Sequence, residues 1–193
     1  MKKVTIIIAS IFCISLTSQA QVQFGFKGGA NLSSVTGSDA GSLSSTINGY
    51  VGALVNIPVK NKFSLQAEAV YSMGGVKYGG GEVLGGSIST AYVNVPLLVH
   101  FNSNGFIIQS GPQMGLLMSA SKKADKAGTT DVKDQLKSTN LSWVFGAGYT
   151  MPGSNVGFNV RYNLGLSNVN KDNSTVNHIN VLEAGLFYML GRK

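Results

Sequence analysis

The sequence predicts an all-β chain closing into an eight-stranded antiparallel up-and-down transmembrane β-barrel. Three observations carry this prediction. Apolar and polar residues alternate over long runs after the first twenty residues, the signature of strands whose successive side chains face opposite sides. The apolar row of each run carries no charge, whereas the other row mixes amides, glycines and hydroxyls. The seven connections between runs go long, short, long, short, long, short, long, and an outer-membrane barrel segregates its loop lengths by end in this way.

Residues 1–20 read as a cleaved secretory signal peptide, leaving 21–193 as the barrel domain. Lys2 and Lys3 precede an apolar run over 4–16 that is too short for an ordinary spanning helix, and Ser18 and Ala20 supply the small residues a signal peptidase reads. The single cysteine, Cys13, falls inside this segment without a lipidation motif, so the mature chain is expected to hold no disulfide and no thiolate metal site.

Strand one sets Val22, Phe24, Phe26, Ala30 and Leu32 against Gln23, Gly25, Lys27, Gly29 and Asn31. A polar connection is expected over 33–45. Strand two, 46–57, presents Ile47, Val51, Ala53, Val55 and Ile57, and a short turn over 58–62 leads to strand three, with Phe63, Leu65, Ala67, Ala69, Tyr71 and Met73 against Ser64, Gln66, Glu68, Ser72 and Gly74. After a glycine-rich connection over 79–89, residues 91–120 form the clearest hairpin. Its first arm places Ala91, Val93, Val95, Leu97, Val99 and Phe101 on one face and Tyr92, Asn94, Pro96, Leu98 and His100 on the other. Its second arm places Phe106, Ile108, Pro112, Met114, Leu116 and Met118 opposite Gln109, Gly111, Gln113, Gly115 and Ser119, with a four-residue turn at 102–105. Each arm reaches the roughly 9 to 11 residues that cross a bilayer at a tilt. The connection over 121–139 is the most charged. Strand six (140–151, with Leu141, Trp143, Phe145, Ala147 and Tyr149), strand seven (from Val156 to Ser167) and strand eight (Leu182, Ala184, Leu186 and Tyr188 opposite Glu183 and Gly185) complete the series.

The alternative is a soluble eight-stranded barrel whose apolar row lines a ligand cavity. Residue size favours the membrane. Glycines such as Gly25, Gly52, Gly146, Gly157 and Gly185 fall on the polar row, where a narrow lumen needs small side chains, and aromatics such as Phe24, Phe63, Phe106, Trp143, Phe158 and Tyr188 fall on the apolar row, many toward strand ends. Four ionisable residues then point inward and sum to zero: Lys27, Glu68, Arg161 and Glu183. Because an unpaired charge in such an interior costs several kcal/mol, they are expected to form a lumen charge network, with Lys27–Glu183 and Arg161–Glu183 as the pairs across neighbouring strands.

Lys2 and Lys3 account for two of the 15 basic residues, so the mature chain carries thirteen against eight acidic ones, an excess of +5. Lys122, Lys123, Lys126, Lys133 and Lys137 gather in one connection, which reads as a solvated loop and not as a nucleic-acid site. No cofactor or metal site is called for: His100 and His178 lie toward opposite ends, and the glycine runs lack the strand-to-helix setting of a phosphate loop. A lipid-modifying enzyme built on His178 and a loop serine such as Ser174 is the least supported reading.

Several segments together resemble the PorT-like outer-membrane β-barrel family common in Bacteroidetes. They are the run from Phe24 to Leu32, the aromatic-x-x-x-Pro-Leu-Leu run from Tyr92 to Leu98, the segment from Gly111 to Ala120, Gly146-Ala-Gly-Tyr149, and the stretch from Arg161 to Ser167. The resemblance implies a small barrel in the envelope of a Gram-negative cell, in a family whose namesake is associated with protein secretion. It departs at the end, where Tyr188-Met-Leu-Gly-Arg-Lys193 replaces the usual final aromatic and weakens the assembly signal. The expected function is a non-enzymatic outer-membrane protein with a filled polar interior and four long extracellular loops for adhesion, partner binding or an envelope or secretion role; a narrow channel is the alternative. Its expected partners are outer-membrane lipid, the periplasmic chaperones and barrel-assembly machinery, and a protein or surface ligand at the loops.

Overall fold

The computed structural model describes residues 22–37, 43–78, 86–124, 128–168 and 177–190. The segment expected as a signal peptide lies outside them. Among the described residues nine strands form: β1 (Gln23–Gly37), β2 (Leu43–Lys60), β3 (Phe63–Tyr78), β4 (Gly86–Ser103), β5 (Phe106–Ala124), β6 (Gly128–Asp131), β7 (Thr139–Thr150), β8 (Val156–Gly165) and β9 (Asn177–Leu190). Every pairing is antiparallel, and the order β1-β2-β3-β4-β5-β7-β8-β9 returns to β1, so eight strands close a barrel with no free edge. Strand β6 stands outside this ring, paired with the last residues of β5.

The apolar row faces outward around the whole ring. Phe26 on β1, Val51 on β2, Leu97 on β4, Ile108 on β5, Phe145 on β7, Val160 on β8 and Leu186 on β9 are all exposed. A continuous apolar belt of this extent is untenable in water and is what acyl chains cover. The soluble, cavity-lining arrangement is therefore excluded. Toward the short-turn end the belt ends in aromatic neighbours: Phe63 meets Phe101 at 5.3 Å between ring centroids, and Phe106 meets Tyr149 at 4.8 Å, where a girdle meets the lipid headgroups.

The short turns are tighter than expected. β2 runs on through Pro58 to Lys60, leaving Asn61 and Lys62 to reverse the chain. The expected four-residue turn at 102–105 is only Asn104-Gly105, because Ser103 still pairs with Phe106. Both turn residues have positive φ, 51° and 87°, the backbone that a two-residue Asn-Gly hairpin turn requires.

At the opposite end the strands outrun the alternation that revealed them. β1 continues to Gly37, β2 begins at Leu43, β4 begins at Gly86 and β5 continues to Ala124, so parts of the connections expected over 33–45, 79–89 and 121–139 are ladder, not loop. With lipid on neither face, nothing selects alternating polarity there, yet each backbone still finds its partner in the neighbouring strand. Strands β2 to β5 hold 16 to 19 residues, whereas β7 and β8 hold 12 and 10. One side of the barrel thus stands taller, as a sheet projecting beyond the apolar belt.

One face assignment fails within β5. Ala91 pairs with Ser119 but Tyr92 pairs with Leu117, so Met118 is an extra residue, a β-bulge. Beyond it the parity inverts: Ser119 is exposed and Ala120 buried, and Ala91 across from them is buried as well.

Candidate functional site

The interior is layered. Near the short turns, Leu54, Ile107, Phe187 and Met189 form an apolar cluster inside the barrel. At the other end Tyr92, Leu117 and Ala120 form a second one, joined by Val132 and Leu136 from the connection after β5. That connection is not a plain solvated loop. Its residues 128–131 pair back onto β5, a single 3-10 turn follows at Lys133–Gln135, and Val132 N–H donates to Ala120 O at 3.0 Å. Of these apolar residues sequence reasoning placed only Tyr92 on the inner row and, weighting that row by its polar members, passed over the rest and Tyr50; the strict two-residue count already placed most of them inside.

Between the apolar layers lies the charge cluster. Lys27, Glu68, Arg161 and Glu183 are each at most 4% exposed. The expected partners are redistributed. Arg161 stands directly across from Glu183 in the β8–β9 ladder, yet its guanidinium turns to Glu68, with Nη1 donating to Oε2 at 2.8 Å and Nη2 to Oε1 at 2.7 Å. Lys27 Nζ donates to the same carboxylate at 3.1 Å and lies 4.0 Å from Glu183 Oε2, so the Lys27–Glu183 contact is the looser of its two. The reason is geometric. β3 and β8 are diametrically opposite in the eight-strand ring, and a lumen just wide enough to be filled by side chains lets an Arg and a Glu meet across the axis. Along that line the planar fork of Arg161 meets the Glu68 carboxylate through two hydrogen bonds.

Glu68 is the hub. Gln66 Nε2 donates to its Oε1 at 2.5 Å, so the carboxylate accepts from three side chains through four hydrogen bonds. Lys27 also lies over the Tyr50 ring, 4.9 Å from its centroid. Glu183 is held from a different side, its Oε1 accepting from Asn163 Nδ2 at 2.8 Å. Small residues make the room: a Cβ on Gly146 would lie 2.8 Å from Arg161 Cγ, and one on Gly185 would lie 2.3 Å from the Tyr50 hydroxyl.

The two histidines are far apart in the fold. His100 is buried beside the short-turn end, across the β3–β4 ladder from Ser64, and His178 pairs with Thr36 at the other end. Ser174 lies outside the described residues. Among the described residues no group of three or more metal-ligating side chains gathers.

Residues 17–171 match the family described as outer membrane protein beta-barrel domain. The chain belongs to that family. It is an outer-membrane β-barrel protein, and its solved likenesses agree in architecture. Neisserial surface protein A superposes with a TM-score of 0.56 at 14% identity, covering 86% of this chain and 96% of that one. Ail, the attachment invasion locus protein of Yersinia pestis, seen in complex with the heparin analogue sucrose octasulfate, superposes with a TM-score of 0.50 at 13% identity, covering 88% and 99%. At such identities the likeness is one of fold alone. No curated protein matches the sequence.

Proposed function

We propose that this outer-membrane barrel is a non-enzymatic surface protein whose lumen is sealed by the Glu68-centred ion cluster and whose working end is the tall sheet beyond the apolar belt. The observation that carries the reading is the side-to-side bridge of Arg161 and Lys27 on Glu68. A charge-balanced cluster whose Glu68 carboxylate accepts four hydrogen bonds, set across a narrow barrel, leaves no continuous aqueous path. Planar-bilayer recording of the purified protein is the test: no steady open state is expected, and a steady conductance from the wild-type chain would replace this reading with that of a narrow channel.

The projecting sheet supports adhesion or partner binding. With short turns and both described chain ends on the periplasmic side, β2 to β6 project outside the cell. Lys122, Lys123 and Lys133 are exposed there, and Ail, a barrel of the same fold, was captured with a sulfated heparin analogue. A polyanionic surface ligand suits these lysines. Cells displaying the protein are expected to bind immobilised sulfated polysaccharide, and the triple change Lys122→Ser, Lys123→Ser, Lys133→Ser to weaken that binding; retention by the triple variant would rule the surface out. Within the family, the segments around Phe24, Pro96, Gly111 and Arg161 support the PorT-like group. Export by a signal peptide and insertion by the barrel-assembly machinery complete the reading.

A further inference from the structure

The ion cluster divides the lumen into two cavities of different character. The one on the short-turn side, about 200 Å³, is lined by mixed groups that include His100, Gln109, Asn159 and Arg161. The one on the outer side, about 170 Å³, has apolar walls that include Val35, Ile88, Val181 and Leu136, above a polar floor at Glu183 and Asn163.

The floor of the outer chamber is short of donors. Glu68 draws both cations toward itself, so Glu183 Oε2 is left 4.0 Å from Lys27 Nζ, beyond hydrogen-bond reach, while Oε1 is occupied by Asn163. Asn163 Oδ1 and the Tyr92 hydroxyl also line this chamber, and neither has a hydrogen-bond partner among the described residues although Asn163 is 3% and Tyr92 8% exposed. Higher up, Asn177 Oδ1 is in the same condition. A carboxylate and amide oxygens accept only, so what the chamber lacks is positive charge and N–H donors. Its volume is comparable with a cavity of about 150 Å³ that takes up one benzene ring. Apolar walls with a few convergent polar groups are the usual make-up of a small-molecule site.

We propose that the outer chamber binds a small amphiphilic ammonium, a protonated amine carried on an apolar body of one-ring size. The amine donates to Glu183 Oε2 and Asn163 Oδ1, and the apolar body lies against Val35, Ile88, Val181 and Leu136. This site is independent of whether the barrel conducts, since ligand titration and bilayer recording read different properties.

The test titrates the purified barrel in nanodiscs with phenethylammonium, and with 2-phenylethanol and 3-phenylpropionate as neutral and anionic counterparts, by calorimetry. Phenethylammonium is expected to saturate at one per chain, with the alcohol about tenfold weaker or more, because its hydroxyl keeps one donor but not the positive charge that faces Glu183, and the carboxylate weaker still. Glu183→Gln is expected to lower affinity for phenethylammonium about tenfold while lowering that for the alcohol distinctly less. Val181→Trp, which fills the chamber from its wall beside Asn163, is expected to abolish saturable binding of both. Folding of each variant is checked by the gel mobility of unboiled against boiled protein; should Glu183→Gln not fold, Asn163→Leu removes the neighbouring acceptor and is read in the same way. Equal affinity for the three probes, unchanged binding in the folded floor variant, or uptake that Val181→Trp does not alter each overturns the proposal.

Discussion

Glu68 is the residue on which the interior depends, because Arg161, Lys27 and Gln66 all turn to its carboxylate. Removing that charge leaves two buried cations facing each other with one remaining carboxylate at the edge. Glu68→Gln is expected to cost about 3–5 kcal/mol in urea unfolding from lipid bilayers, the usual loss when one partner of a buried ion pair is deleted. Glu183→Gln should cost distinctly less, since its nearest cation is 4.0 Å away. Similar costs for the two variants would mean that Glu68 is not the hub. A second prediction concerns space. A Cβ on Gly157 would come within 2.3 Å of the Phe187 ring and 2.6 Å of Tyr149 O, so Gly157→Val should lose about 1–3 kcal/mol through overpacking. Its gel band for the folded barrel should convert to the unfolded position at a lower temperature.

At the scale of the element, the extension of β5 is paired on both sides, with the start of β4 and with β6. The connection after it is tied down by Val132 and Leu136 against Tyr92, Leu117 and Ala120. Val132→Asp places a charge in that cluster, which should release the segment while the ring of eight strands, whose ladders it does not enter, stays closed. Limited trypsin digestion should then cut at Lys133 or Lys137 in the variant sooner than in the wild type, with the heat-modifiable gel shift retained. The bulge at Met118 permits another test. Deleting Met118 keeps Leu117 and Ala120 inward and Ser119 outward on a regular ladder, so the deletion should fold; failure would show that the bulge itself shapes the sheet.

For the whole molecule, the relation between belt and projection decides what faces whom. The tall side, β2 to β5, leaves the membrane as paired sheet, so its surface is held by ladder hydrogen bonds and not by loop packing. On intact cells, a membrane-impermeant amine-reactive label is therefore expected to reach the exposed Lys122 and Lys123 side chains at the outer surface and to spare Lys62 in its periplasmic turn. Labelling of Lys62 alone would invert the orientation.

Sequence alone determined the class of fold and the face each strand turns to lipid, because lipid enforces a two-residue period on every segment it touches. The alternation that puts Phe26, Leu97 and Val160 outside puts Lys27, Leu98 and Arg161 inside, and it needs no partner strand to be read. Where lipid ends the period ends too, so the ladders beyond Ser33, before Ala91 and after Ala120 carried no such mark. Tertiary structure decided who meets whom across the lumen. Arg161 and Glu183 face each other in register, but the closed ring sets Glu68 on the opposite wall, within reach of the guanidinium. That choice depends on the barrel's diameter, a property of eight closed strands and of no single one.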